Sequence, residues 1–131
     1  MILVYTAEHS PIMNSLEQLV IDYTRGRPAV YCHSLTALEM RMRRPHHHIE
    51  IVLIYVSDPA EMVKLTKMRS LLMDSRLILV LPTHDVDMVA WAHKLGPRFI
   101  AYADIGLEQA GSVLEKMLSA KVYNFISLTG T

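Results

Sequence analysis

At 131 residues, 51% of them hydrophobic, the chain is long enough for one domain with a full core and too apolar for a disordered segment. Thirteen basic residues balance 13 acidic ones, so no global field draws it to nucleic acid or to an anionic membrane. The one cysteine, Cys32, excludes an intramolecular disulfide and fits a reducing cytoplasm. Met1 to Thr6 is too short for a signal-peptide core and has no basic start, and no apolar run approaches the roughly 20 residues that span a bilayer.

Ile2-Leu3-Val4-Tyr5 reads as a buried strand. Ser10-Pro11 then predicts a helix start, because serine caps and proline suits the first turn. Ile12, Leu16, Leu19, Val20 and Tyr23 follow as one apolar stripe, until Arg25-Gly26-Arg27-Pro28 breaks it. Ala29 to Cys32 is a second short strand, and a helix from Ser34 to Arg43 carries Leu35, Leu38 and Met42 on one side. Ile49 to Val56 is almost wholly apolar and β-branched, the pattern of a strand covered on both faces in a parallel sheet.

Asp58-Pro59-Ala60-Glu61 combines a cap, a first-turn proline and an acid at the third helical position. The single helix expected after it buries Met62, Leu65, Met68 and Leu72. Leu77 to Leu81 is the fourth strand. A helix from Asp85 presents Met88, Trp91, Ala92 and Leu95, and Gly96-Pro97 stops it. Phe99 to Tyr102 is the fifth strand, and Leu107, Ala110, Gly111, Leu114, Met117 and Leu118 mark the last helix. Residues 1–120 are thus one domain. The rest, 121–131, is a C-terminal extension whose stretch Val122 to Leu128 is apolar and β-prone. Such a stretch suits covering a sheet edge, pairing with another subunit or connecting to a further domain.

Five strands alternating with five helices give a (βα)5 chain with parallel strands and right-handed crossovers. The expected class is a flavodoxin-like, doubly wound α/β fold with strand order 2-1-3-4-5. In such a sheet ligands and reactive groups lie at the carboxyl ends of the strands, here the loops after Tyr5, Val56, Leu81 and Tyr102.

Element order and spacing over residues 1–120 resemble the response-regulator receiver family of two-component signal transduction. The resemblance implies an acidic pair after the first strand. Thr6 and Ala7 stand there, and only Glu8 keeps a carboxylate. It implies a phosphorylated aspartate four residues before a proline. Pro59 matches that proline, which puts Tyr55 at the acceptor position and leaves Asp58 as the alternative phosphoacceptor. The Thr or Ser that senses the phosphoryl group corresponds to Thr83, and the lysine of the fifth strand to Tyr102.

Phosphoryl transfer in such a domain needs oxygen ligands for Mg²⁺, a carboxylate nucleophile and a cation on the transferring group. A phenol cannot form an acyl phosphate, and Tyr102 brings no charge. The resemblance is therefore to a degenerate member, a pseudo-receiver with no catalytic residue, no metal and no cofactor, and not an enzyme.

Arg41, Arg43, Arg44 and His46-His47-His48 form the densest cationic segment. It suggests a basic patch, or a metal held by His46 and His48. The plainer reading is a solvated helix end, where arginines favour the negative terminus. Cys32 and His33 are neighbours on a strand and point to opposite faces, so they make no nucleophile pair. The first loop, with His9 and Ser10, lacks the glycines of a nucleotide-binding motif. The nine methionines fall mostly at core spacing.

The expected function is a phosphorylation-independent signalling or scaffolding module that acts through protein–protein interaction, as a homodimer or docked on a larger regulator. Its expected surface is Trp91, His93, Tyr102 and Met117. The alternative is a small-molecule sensor that uses the vacated acidic pocket, lined by Tyr55, Tyr102 and Thr83. A third reading keeps residual phosphorylation at Asp58 with Glu8 as metal ligand. Neither nucleic acid nor membrane is an expected partner.

Overall fold

The computed structural model describes residues 1–7, 10–44 and 49–130, with 120–130 as backbone alone. Five strands form one parallel sheet: β1 (Ile2–Tyr5), β2 (Ala29–Cys32), β3 (Ile51–Tyr55), β4 (Arg76–Leu81) and β5 (Phe99–Tyr102). Their order is β2-β1-β3-β4-β5, the expected doubly wound arrangement. The helices are α1 (Met13–Thr24), α2 (Leu35–Met42), α3 (Pro59–Thr66), α4 (Arg69–Leu72), α5 (Val86–His93) and α6 (Glu108–Gly130), with a 3₁₀ turn at Ala103–Ile105.

Strand composition follows position in the sheet. The inner strands β1 and β3 are buried at every residue, and β4 at every residue after Arg76, so none needs a polar alternate. The edge strands β2 and β5 each have one buried residue. The two-residue period then builds two cores. Leu3, Tyr5, Val52, Ile54, Leu77 and Leu79 pack against α2, α3, α4 and α5. Ile2, Val4, Leu53, Tyr55, Ile78 and Val80 pack against α1 and α6. Each core holds several fully buried aliphatic side chains, and truncating one such as Leu53 to alanine costs about 2–5 kcal/mol.

Three elements differ from the sequence expectation. Helix α1 begins at Met13 and not at Pro11: Met13 N–H bonds the Ser10 carbonyl at 3.2 Å, so Ser10 to Ile12 form a turn before the helix. The single helix expected after Asp58 is two, α3 and α4. The Thr66 hydroxyl donates to the Val63 carbonyl at 2.6 Å, the acceptor that Lys67 N–H would use in a continuing helix. Lys67 N–H turns to the Lys64 carbonyl and Met68 N–H to that of Leu65, and the tightened turn ends α3. The stretch Val122 to Leu128 adds no strand. The α6 backbone runs through it to Gly130, because no proline or glycine interrupts the chain between Ser112 and Thr129.

Candidate functional site

The carboxyl end of the sheet is set by the register of its central strands. Tyr5 pairs with Ile54, and Tyr55 pairs with Val80. Thr6, one residue past β1, therefore falls beside Tyr55, and the strand alternation puts both on the α1–α6 side. Thr6 is 1% exposed; its N–H bonds the Cys32 carbonyl at 3.2 Å, but its Oγ1 has no hydrogen-bond partner among the described residues. His33 Nδ1 lies 3.2 Å from the Thr6 carbonyl oxygen, a bond that requires the Nδ1–H tautomer. Ala7 is half-buried at the loop start, and Glu8 lies outside the described residues.

Tyr55 is buried and turns into the α1–α6 core. Its edge reaches a groove lined also by Ile12, Leu19, Tyr23, Pro82 and Asp104. No described residue hydrogen-bonds its hydroxyl. Burial, and secondarily the Glu61 carboxylate, pushes the phenol upward from its ordinary pKa, so it is a neutral O–H donor.

The carboxylates after β3 are occupied by helix capping. Glu61 N–H donates to Asp58 Oδ1 at 2.8 Å, which makes Asp58 the N-cap of α3. Glu61 in turn accepts the Ser57 N–H at 2.9 Å on Oε1 and the Tyr5 hydroxyl at 2.8 Å on Oε2. Asp58 is exposed and faces its own helix end. Tyr5 is pushed well above the ordinary phenol range, first by burial and then by its bond to Glu61. The Tyr5–Glu61 pair escaped the sequence reading. Its signal was a tyrosine ending a buried strand opposite a capping-box glutamate, a pairing that only strand register reveals.

Thr83 and Tyr102 sit elsewhere. Thr83 is exposed on a second groove, with Ser57, Pro59, Asp85 and Trp91. Tyr102 packs against the α2–α5 core, its ring 5.0 Å from that of His84. Tyr55 and Tyr102 are therefore on opposite faces of the sheet, and Tyr55 and Thr83 open on different grooves, with Pro82 bordering both. Of the expected interaction surface, Trp91 is 37% exposed beneath Lys94 Nζ at 4.1 Å, and His93 is exposed beside it. Met117 packs on the α1–α6 side, so it shares no patch with Tyr102.

Among the described residues no three His, Cys, Asp or Glu side chains are grouped to hold a metal. The histidines at 46 and 48 lie outside those residues. Arg43 pairs with Glu39 at 3.0 Å one helical turn back, which accounts for part of the cationic segment. Cys32 is buried, and burial raises its thiol pKa, so it is not an activated nucleophile. Among the described residues no helix is long and apolar enough to cross a membrane.

Solved structures with the same architecture include receiver domains and proteins named for pilus assembly. A pilus assembly-related protein from Burkholderia pseudomallei superimposes with a TM-score of 0.67 at 18% identity, over 90% of this chain and 88% of that one. The pilus assembly protein CpaE from Caulobacter crescentus gives 0.65 at 15% identity, over 88% and 91%. A CheY-like response-regulator receiver domain from Methanospirillum hungatei gives 0.64 at 14% identity, over 91% and 96%. No family model and no curated protein matches the chain. The chain has the fold of a CheY-like receiver domain, a flavodoxin-like sheet in the order 2-1-3-4-5.

Proposed function

We propose that this protein is a pseudo-receiver: a signalling or scaffolding module that binds other proteins, or a second copy of itself, without phosphorylation. One observation carries the reading. At the acceptor position, one turn before Pro59, stands the buried phenol of Tyr55, while the nearest aspartate, Asp58, is engaged as the N-cap of α3. The fifth strand supports it, because Tyr102, in tilted ring contact with His84, stands where a receiver's lysine would meet a phosphoryl group. The similarity to structures described as pilus assembly proteins agrees with a receiver fold used in assembly.

Intact-mass spectrometry after incubation with acetyl phosphate and Mg²⁺ tests it. The expected mass is unchanged. A stoichiometric phosphoryl adduct that disappears in Asp58→Asn would make the domain a working receiver.

A further inference from the structure

The groove between α1 and α6 has a composition that the fold does not require. It is open, with a volume of about 770 Å³, and among the described residues its lining contains three carboxylates, Asp22, Asp104 and Glu108, and no lysine, arginine or histidine. Among the described residues none of the three carboxylates is in an ion pair. The floor is apolar and aromatic: Leu19, Tyr23 and the edge of Tyr55. Tyr23 packs against Gly111 of α6, so close that a Cβ there would collide with its ring carbons.

The placement of Asp22 is the second observation. It stands in the last turn of α1, where the negative end of the helix disfavours a carboxylate. Its described partner is the neutral amide of Gln18, whose Nε2 donates at 2.8 Å and holds the carboxylate in place. Glu108, in the first turn of α6, is where the helix dipole favours an acid, so its position has a local cause. Asp22 has none.

We propose that this groove is a docking site for a basic amphipathic segment of a partner protein. The apolar side chains of the segment lie over Leu19 and Tyr23, and its cations meet Asp22, Asp104 and Glu108. Charge complementarity selects the occupant: a rim whose described charged residues are three carboxylates repels an acidic partner and attracts a basic one. A guanidinium suits the site doubly, because it can stack on a tyrosine face and chelate a carboxylate. The Tyr55 hydroxyl, which no described residue hydrogen-bonds, offers a donor to a backbone carbonyl of the same segment. The openness of the groove fits an extended or helical segment better than a small ligand, which needs enclosure on most sides.

The inference rests on the reading of the domain as an interaction module, and it names the surface. The test uses the full chain, isotope-labelled, and short amphipathic peptides that differ only in carrying Arg, Gln or Glu at their charged positions. The Arg peptide is expected to bind, to shift the amides of Asp22, Tyr23, Asp104 and Glu108, and to weaken as salt rises. The Gln and Glu peptides are expected not to bind. The variant D22N/D104N/E108Q changes only exposed side chains and is expected to keep its melting temperature and lose about tenfold or more in affinity. Equal binding by the variant, or shifts confined to another face, would overturn the proposal. So would N-acetyl-arginine amide binding the groove as tightly as the peptide, which would make it a small-cation site. The phosphodonor experiment separates the two levels. A peptide that ignores the groove on a protein that takes no phosphate sinks the docking site alone, whereas phosphate uptake at Asp58 sinks the pseudo-receiver reading.

Discussion

Removing the Tyr5 hydroxyl should loosen the loop between β3 and α3. Tyr5 is 2% exposed, and its O–H donates to Glu61 Oε2 at 2.8 Å. A hydrogen bond to a charged acceptor contributes about 1.5–3 kcal/mol. Glu61 is half-exposed and keeps its bond from Ser57 N–H, so water can re-solvate the freed oxygen. The cost of Tyr5→Phe should therefore lie at the lower end, about 1.5 kcal/mol, since phenylalanine preserves the ring packing. Glu61→Gln keeps a neutral acceptor and should cost less, and the double variant should reveal a coupling of about 1 kcal/mol.

Urea denaturation at pH 7 measures these differences, and a second series above pH 9 tests their origin. The Tyr5 phenol titrates higher in the folded protein than its ordinary value of 10.0. An acid whose pKa rises on folding contributes stability that is complete below the unfolded pKa and is lost as pH climbs through the folded one. The native protein should therefore lose stability faster than Tyr5→Phe above about pH 10. Tyr31 and Tyr55 are shifted in the same direction, but they are present in both proteins and cancel in the difference. Equal stability of Tyr5→Phe and the native protein at pH 7, with parallel curves in alkali, would refute the Tyr5–Glu61 bond.

Three further outcomes follow from the geometry. Gly111→Ala gains about 1 kcal/mol of helix propensity but drives a Cβ into the Tyr23 ring, so thermal melting should show a net loss of about 1–2 kcal/mol; a stabilised variant would mean that the ring swings away freely. Asp58→Ala should cost about 1 kcal/mol through the lost N-cap, and Asp58→Asn much less, by the same denaturation assay; equal losses would deny the capping role. Sedimentation at micromolar concentration should show self-association that acetyl phosphate and Mg²⁺ do not alter. A monomer under both conditions would leave a different protein as the partner.

The fold was legible because its strongest signals are local. The run from Ile51 to Tyr55 is apolar at every residue, and the side-chain caps at Ser34, Asp58 and Asp85 each start a helix as the sequence implies. Gly96, at a φ of +67°, likewise follows the end of α5. What was not legible depended on competition between nearby groups. Thr66 looks like any helical residue, yet α3 ends at it, with its hydroxyl on the Val63 carbonyl and the next two N–H groups in a tightened turn. Val122 to Leu128 is β-prone in composition, yet it continues a helix already nucleated at Glu108.

The site was half legible for a related reason. Spacing from Pro59 brings Tyr55 to the end of β3, and register puts Thr6 beside it. Which face each side chain takes depends on alternation and on how far each strand runs. Tyr102 therefore falls on the opposite face from Tyr55, and Thr83, beyond the end of β4, opens on the groove of Trp91. The acidic rim between α1 and α6 joins residues that lie more than 80 positions apart, and no local pattern announces it.

The central claim is that the carboxyl end of the sheet no longer receives a phosphoryl group. Amide NMR of the isotope-labelled chain, titrated with Mg²⁺ and then with beryllofluoride as a phosphoryl mimic, tests it most directly. The account predicts no saturable shifts at Thr6, Tyr55, Asp58, Thr83 or Tyr102. A new set of resonances at these positions that requires both Mg²⁺ and beryllofluoride, and that is absent in Asp58→Asn, would contradict it.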